Sequence, residues 1–332
     1  MLWFLLFVVP SFVGPEACRE CHSAQFRKQS ASNHATALRP AAQTPLAEWL
    51  GSVPLRERSG VEFAYAPSDS GVMVTITKGK DRLEALIEWA FGSGVQAITP
   101  VGRFRGSYFE HRISWYTEPG HPARTIGHPG EPSRSPERAL GQMQNLETIT
   151  RCFGCHATAV KDGPDISAML PGVTCERCHG PASDHVRGPS RENIVSHSGR
   201  SAAASIQLCA ECHRGPEGSK LSPQPERDDP VSIRFQPVGL LASKCYKASE
   251  TLSCVTCHDP HENLVRDSSH YVARCLSCHA ESTRTGSRCG REQNRDCLPC
   301  HMQRSSPLPF LTFTDHRIRV YSMMPATFPP PQ

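Results

Sequence analysis

The 332-residue sequence has few of the side chains that build an ordinary hydrophobic core. Hydrophobic residues make up only 38% and aromatic residues 7%, whereas there are 29 prolines and 24 glycines. Such a chain forms little regular structure and has too few aliphatic side chains to bury its own length. The composition therefore argues against an ordinary core made of side chains alone.

A concentrated basic surface is also missing from the sequence. The 36 Lys and Arg residues are scattered and nowhere form a basic run, and the formal net charge is only +4. Nucleic-acid binding needs a basic patch or stripe. We therefore expect no nucleic-acid partner.

Long apolar runs are absent apart from the first ten residues, MLWFLLFVVP. This run is too short to span a bilayer comfortably. It is typical of the apolar region of an export signal, which we place at residues 1–14. The basic residues that usually precede such a region are missing, and no clean small-x-small cleavage site precedes Cys18. A retained membrane anchor is the alternative interpretation.

Cysteine, in contrast, is abundant and occurs in one arrangement. Fourteen of the 16 cysteines belong to seven copies of the pentapeptide Cys-x-x-Cys-His. In chain order the copies are CRECH at 18, CFGCH at 152, CERCH at 175, CAECH at 209, CVTCH at 254, CLSCH at 275 and CLPCH at 297.

This pentapeptide is the attachment sequence of c-type haem. Two thiols one helical turn apart add to the two vinyl groups of one porphyrin, and the adjacent His takes an axial position on the iron. The sequence therefore predicts seven covalently attached haem c groups. The predicted thioether cysteines are Cys18, Cys21, Cys152, Cys155, Cys175, Cys178, Cys209, Cys212, Cys254, Cys257, Cys275, Cys278, Cys297 and Cys300. The predicted proximal iron ligands are His22, His156, His179, His213, His258, His279 and His301.

Zinc ribbons and disulfide frameworks explain these cysteines less well. A ribbon does not require His directly after the second Cys, yet every Cys-x-x-Cys here has it. A disulfide scaffold would not fix one repeated pentapeptide. Porphyrins would supply the missing apolar interior, and their propionates would bring the holoprotein close to neutral or acidic.

The predicted fold is mostly irregular with short α-helices, a haem-filled core and a small inserted antiparallel β unit. Residues 15–50 form the first haem-binding segment, with a helix over residues 23–32, and the β unit covers residues 60–120. Val72, Val74 and Ile76 alternate with polar residues there, as in a half-buried strand. The six-haem domain covers residues 136–321 and opens with a helix capped by Ser135, and a Pro-rich tail covers residues 322–332. The β unit has no cysteine, so we expect it to cover haem edges or to dock a partner.

Nine His residues lie outside the pentapeptides, a number close to what seven second axial ligands would require. His261 comes three residues after His258, and His185 comes six residues after His179. Neither tether is long enough to reach the far face of its own porphyrin. Each is therefore expected to cap a neighbouring haem, which favours closely spaced haems and electron transfer.

Several segments resemble the cytochrome c-554 type group of multihaem cytochromes c, whose superfamily includes hydroxylamine oxidoreductase and pentahaem nitrite reductase. They are CHGPASDH, CVTCHDPH, the opening CRECHSAQFRKQSASNHA and the closing CHMQ…FTDHRIR. The resemblance implies distal-ligand roles for His34, His185, His261 and His316. Every site here is Cys-x-x-Cys-His, whereas the nitrite reductases attach their catalytic haem through a Lys signature. No His lies between Met302 and Phe313, which leaves a Met-ligated or five-coordinate haem as alternatives.

The other His residues carry weaker expectations. His270 and His128 are further candidate iron ligands. His111, His121 and His197 are expected to be surface or loop residues. The two remaining cysteines, Cys245 and Cys289, are expected to form a disulfide, with a redox-active or iron-ligating Cys245, or free thiols, as alternatives.

Together these features predict an exported, periplasmic or extracellular seven-haem cytochrome that carries electrons between a redox donor and an acceptor. The alternative is a multihaem oxidoreductase acting on nitrogen or sulfur compounds at one open-faced haem. A third possibility is a haem subunit of a membrane-associated complex.

Overall fold

The computed structural model describes residues 10–159, 169–215, 230–279 and 296–321. Short helices, irregular segments and antiparallel sheets make up this part of the chain, which confirms the predicted fold class. The helices are α1 Ser23–Ser30, α2 Leu46–Leu50, α3 Pro136–Leu140, α4 Leu146–His156, α5 Cys175–His179, α6 Ser183–Arg187, α7 Ala202–His213, α8 Gln236–Ala242, α9 Lys244–Lys247, α10 Cys254–Cys257, α11 Ser268–His279 and α12 Leu298–His301.

Ten strands form one antiparallel sheet in the N-terminal half, and two small two-stranded sheets lie further along the chain. The strands of the large sheet are β1 Leu38–Pro40, β2 Leu55–Arg56, β3 Glu62–Ser68, β4 Gly71–Lys78, β5 Asp81–Phe91, β6 Ala97–Phe104, β7 Ser107–His111, β8 Ile113–Tyr116, β9 His121–Arg124 and β10 Gly141–Gln144. The small sheets pair β11 Ala157–Ala159 with β12 Leu170–Pro171, and β13 Arg304–Leu308 with β14 Leu311–Thr314.

The large sheet follows the period-two pattern of its sequence. Its main strand order is β10-β7-β6-β5-β4-β3-β2, with β1 on β5, and β8 pairing both β6 and β9. Val72, Val74 and Ile76 of β4 are buried, while the residues between them are partly exposed. The sheet also includes β1, β2, β9 and β10, which lie outside the predicted range of residues 60–120.

One face of the sheet anchors the second haem motif. Leu38 and Phe91, from the paired strands β1 and β5, pack with Ile149 and Phe153 of α4. Phe153 lies inside the CFGCH motif and is fully buried, with its ring 4.9 Å from that of Phe91. The sheet therefore holds the helix that carries Cys152 and its neighbours.

Helix caps set where the motif-bearing helices begin. Asn145 accepts a hydrogen bond from the Thr148 amide at the start of α4, and Ser201 accepts one from the Ala204 amide at the start of α7. The helix predicted to open at Ser135 is present as α3, and its cap accepts from the Arg138 amide. The helix predicted at residues 23–32 is present as α1.

The N-terminal segment is bound to the third motif. The carboxylate of Glu176, inside CERCH and buried, accepts hydrogen bonds from the amides of Val13, Gly14 and Ala182. The expected export signal lies mostly outside the described residues, as the Pro-rich tail does. Within the described ranges, no helix has the length and apolar character needed to cross a bilayer.

Candidate haem-binding sites

Helical geometry brings the two cysteines onto one face in the motifs that begin at residues 152, 175, 209, 254 and 275. Residues three apart in a helix are surface neighbours, so both thiols point to the same side. In α4, α5, α7, α11 and α12 the motif forms the last turn, and the proximal His is the final helical residue. The thiols are half-buried except those of Cys21, Cys278 and Cys300, which are exposed.

Four proximal His residues each face a second imidazole. The pairs and the distances between ring centroids are His22–His185 at 6.4 Å, His34–His213 at 6.1 Å, His179–His261 at 6.3 Å and His258–His316 at 6.3 Å. The two planes lie 21°, 77°, 11° and 44° apart, respectively.

These distances fit a metal ion held between two imidazoles. An imidazole nitrogen lies about 2 Å from a bound metal ion and about 1.2 Å from its own ring centre, so two trans ligands place their centroids about 6.4 Å apart. Ring stacking by itself does not require one shared distance for parallel and perpendicular pairs. The four pairs therefore fit a haem iron with two axial His ligands.

The pairing crosses between motifs. His185 comes after the third motif but faces His22 of the first, and His261 comes after the fifth motif but faces His179 of the third. This placement agrees with the expectation from the short tethers in the sequence. Iron ligation by these residues stays a prediction.

Hydrogen bonds at Nδ1 orient the four distal imidazoles. Acceptors lie at 2.9–3.3 Å: the Pro260 carbonyl for His34, the Ser190 carbonyl for His185, the Asp259 carboxylate for His261 and the Thr314 carbonyl for His316. Donation from Nδ1 leaves Nε2 as the bare nitrogen that a metal ion requires. These hydrogen bonds thus fit the predicted role of the four residues as distal iron ligands.

Three proximal residues, His156, His279 and His301, have no opposing imidazole among the described residues. His156 is the most enclosed of them: its Nδ1 donates to the Ala37 carbonyl at 2.9 Å, and its ring lies 5.2 Å from Phe91. His279 is exposed.

The two weaker ligand candidates have other neighbours. His128 is buried, with Nε2 3.3 Å from a carboxylate oxygen of Glu110, and His270 lies 3.3 Å from the Cys257 carbonyl. The structure brings neither of them opposite a proximal His, and their ligation of iron stays a prediction.

His111, expected at the surface or in a loop, is instead fully buried in the sheet. Its Nδ1 donates to the Leu140 carbonyl at 2.7 Å, and its Nε2 contacts the Tyr65 hydroxyl at 2.9 Å. Burial lowers the pKa of His111 to about 4, so the ring is neutral. Side chains two residues apart in β7 lie on the same face of the sheet. Phe109 points inward, and this alternation could have predicted the burial of His111.

The motifs lie next to one another in a definite order. Three pairs of thiols from different motifs are in contact: Cys18 with Cys175, Cys155 with Cys212, and Cys209 with Cys254. Arg177 also links the third motif to the fourth, with bonds of 3.1 Å to Glu211 and 3.8 Å to the Cys212 sulfur.

The last motifs continue the series. Helix α11, which carries the sixth motif, packs against α10 with the fifth motif and against α12 with the seventh. Numbered along the chain, the motifs thus lie in the order one, three, four, five, six, seven, with the second attached beside the fourth.

Cys245, in α9, lies near the sixth motif. Its thiol is half-buried and within electrostatic reach of Cys278. Its expected disulfide partner, Cys289, is outside the described residues, so the disulfide stays a prediction.

The chain is similar to known proteins. The family described as cytochrome c554 and c-prime matches residues 114–180. The dissimilatory sulfite reductase MccA of Wolinella succinogenes is 22% identical over 381 aligned positions, which cover 88% of this chain and 50% of that protein. The chain thus spans half the length of this curated relative.

A solved structure shares the fold. The crystal structure of the outer cell wall cytochrome OcwA superposes with a TM-score of 0.55 at 17% identity, covering 93% of this chain and 79% of that one. These similarities agree with the resemblance to multihaem cytochromes of the c-554 type and support haem c as the cofactor.

Proposed function

We propose that this chain, a multihaem cytochrome c of the c-554 type, carries electrons between a redox donor and an acceptor through seven covalently attached haems. The observation that carries the proposal is the set of four His pairs at 6.1–6.4 Å. Haem iron supplies the one-electron chemistry. The two His residues of each pair would hold the iron between their imidazoles, which would favour electron transfer and leave no position for a substrate.

Contacts between motifs support a continuous path. Each of the direct thiol contacts joins two different motifs, so the porphyrin edges attached there would lie close together. The series of haems from the first motif through the third, fourth, fifth and sixth to the seventh is then the main route for electrons. The haem of the second motif is a branch at the fourth.

Exposed cysteines support entry and exit at the two ends of the route. Cys21 belongs to the first motif, and Cys278 and Cys300 belong to the sixth and seventh. A redox partner can approach haems at these positions more closely than at the fourth motif, where Ala210 is buried and both thiols are half-buried. Covalent haem attachment takes place outside the cytoplasmic membrane, so we place the protein in the periplasm or outside the cell. A partner within a membrane-associated complex fits the same scheme.

The proposal is tested by stopped-flow reduction of the purified holoprotein together with EPR of its ferric form. We expect low-spin ferric haems at the four paired motifs and rapid reduction followed by complete reoxidation by a second redox protein. A variant without the fourth haem, C209S/C212S, should interrupt electron flow between the ends. The matched control, C152S/C155S, removes the branch haem and should leave end-to-end flow intact. Equal loss in both variants, or high-spin iron at the paired motifs, would contradict the proposal.

A second candidate function is an oxidoreductase that acts at the haem of residues 152–156. It is favoured because no imidazole among the described residues faces His156, and because a relative of this chain is a dissimilatory sulfite reductase. Turnover of sulfite, nitrite or hydroxylamine with a reduced viologen dye would support it if C152S/C155S abolished that turnover. Equal turnover in the wild type and in this variant would exclude it.

A further inference from the structure

Two His residues outside the four pairs have the same relation to two different motifs. His197 places Nε2 2.9 Å from the carbonyl oxygen of Cys178, the second cysteine of the third motif. His270 places Nε2 3.3 Å from the carbonyl oxygen of Cys257, the second cysteine of the fifth motif. In both cases the bonded carbonyl belongs to the peptide that joins the second cysteine to the proximal His.

The third and fifth motifs also have the same two kinds of His on their C-terminal side. In each motif the nearer His faces the proximal His of another motif: this residue is His185 after the third motif and His261 after the fifth. The more distant one returns to its own motif, and these residues are His197 and His270. The repetition of both relations indicates one structural device used twice.

Both returning residues lie beside the proximal imidazole, not opposite it. The ring of His197 is 5.1 Å from that of His179 at 63°, closer than the four facing pairs. The ring of His270 contacts Tyr271 at 5.0 Å, and Tyr271 contacts His258 at 5.6 Å. With Nε2 already bonded to a carbonyl, neither ring presents that nitrogen to an iron atom.

The bonded carbonyls lie in the last turn of short helices, α5 and α10. The last carbonyls of a helix lack intrahelical partners and carry its partial negative charge. An N–H donor therefore fixes the peptide that bears the proximal His and reduces the negative potential beside its haem.

We infer that His197 and His270 are positioning residues for the haems of the third and fifth motifs. They act through the Cys178 and Cys257 carbonyls and not as axial ligands, and for His270 this role replaces the ligand role predicted from the sequence. This inference rests on the proposed haem attachment. Each N–H bond holds the orientation of the proximal imidazole and stabilises ferrous relative to ferric iron, since it withdraws negative charge from the carbonyl.

The test uses H197A and H270A in the full-length holoprotein, with EPR-monitored redox titration. Each variant is expected to keep all its haems and its low-spin count, to shift the g-values of one haem and to lower the midpoint potential of that haem. H197Q and H270Q retain an N–H donor at the position of Nε2 and should restore the potential. The control is H121A, because His121 contacts the Pro122 carbonyl at 3.0 Å and the Phe310 ring at 5.9 Å, and both residues lie outside the motifs. It should leave every potential unchanged.

Three results would overturn the inference. A new high-spin haem in either Ala variant would make that residue an iron ligand. His197 has a nitrogen for this role, because its Nδ1 is buried and makes no hydrogen bond. A loss of thermal stability with unchanged potentials and g-values would make the hydrogen bond a helix cap only. Gln variants that behave like the Ala variants would remove the N–H donor from the explanation. In each case a wild-type protein with seven haems leaves the proposed function standing, whereas a wild type without haem would refute both.

Discussion

His185 lies opposite His22, with ring centroids 6.4 Å apart, although it comes directly after a different haem motif in the sequence. Its Nδ1 is bonded to the Ser190 carbonyl at 3.0 Å and is 3.1 Å from the Asn193 side-chain oxygen. This relationship joins the first motif to the third, and the contact between Cys18 and Cys175 joins the same two motifs a second time.

Replacing His185 with Ala should therefore open the haem at residues 18–22 and leave the adjacent haem at 175–179 low-spin. We expect one new high-spin signal in the ferric EPR spectrum and no change in haem mass. The same replacement in a C18S/C21S background should add no high-spin signal, because the affected haem is absent. A high-spin signal that persists in that background would place His185 on another haem.

The angles between facing imidazoles predict different spectra for different haems. Nearly parallel planes, as in His179–His261 at 11°, separate the iron d orbitals and give a rhombic low-spin signal. Nearly perpendicular planes, as in His34–His213 at 77°, leave two d orbitals close in energy and give a highly anisotropic signal. We expect C209S/C212S to remove a highly anisotropic signal and C175S/C178S to remove a rhombic one. The reverse assignment would contradict the pairing.

Much of this arrangement is visible in the sequence. The seven pentapeptides predict the attachment sites, and the short tethers of His185 and His261 predict that each serves a different motif. The sequence does not say which motif each one reaches, because that depends on contacts between distant segments. Gly172 is an example: a Cβ there would lie 2.1 Å from the Ala35 carbonyl oxygen, and this close approach holds the His34 loop against the third motif.

The sequence pattern also could not predict how far the sheet extends. Strand β1 has three residues, too few to show a period of two, and it is a strand because it pairs with the end of β5. The positions of His197 and His270 likewise depend on loop paths that no spacing rule fixes. Glu176 gives no signal either, since its burial depends on the N-terminal segment folding over it.

A buried ion pair in the β unit predicts a defined pH dependence of stability. Burial raises the pKa of Glu57, but the Ser133 amide and the Arg112 guanidinium lower it by more, so its pKa lies below the ordinary 4.5. Folding therefore favours the ionised carboxylate. This stabilisation is fully present above pH 4.5 and is lost as the pH falls through the lower pKa of the folded state.

The variant E57Q should flatten the acid limb of the unfolding curve. We expect its free energy of unfolding to fall below that of the wild type at neutral pH and to converge with it in acid. Thermal unfolding followed by circular dichroism from pH 7 to pH 3 measures this difference. The exposed pair Arg82–Glu84 supplies a control, because E84Q should change stability little. A difference in the free energy of unfolding between E57Q and wild type that stays constant at all pH values would contradict the lowered pKa of Glu57.

Phe153 predicts how strongly the second motif depends on the sheet. Its ring is fully buried against Phe91, Trp89 and Tyr108. F153A should cost about 3–5 kcal/mol of unfolding free energy. F153L keeps most of the buried volume and should cost clearly less. Chemical denaturation followed in the far-ultraviolet region measures both, and equal small losses would show that the sheet does not anchor this motif.

The central claim, that each of the seven pentapeptides holds a porphyrin through thioether bonds, is tested most directly by the intact mass of the protein matured in a host that exports and attaches haem c. We expect the mass of the mature polypeptide plus seven covalent haems. The unmodified polypeptide mass, with zinc bound in place of haem, would contradict it.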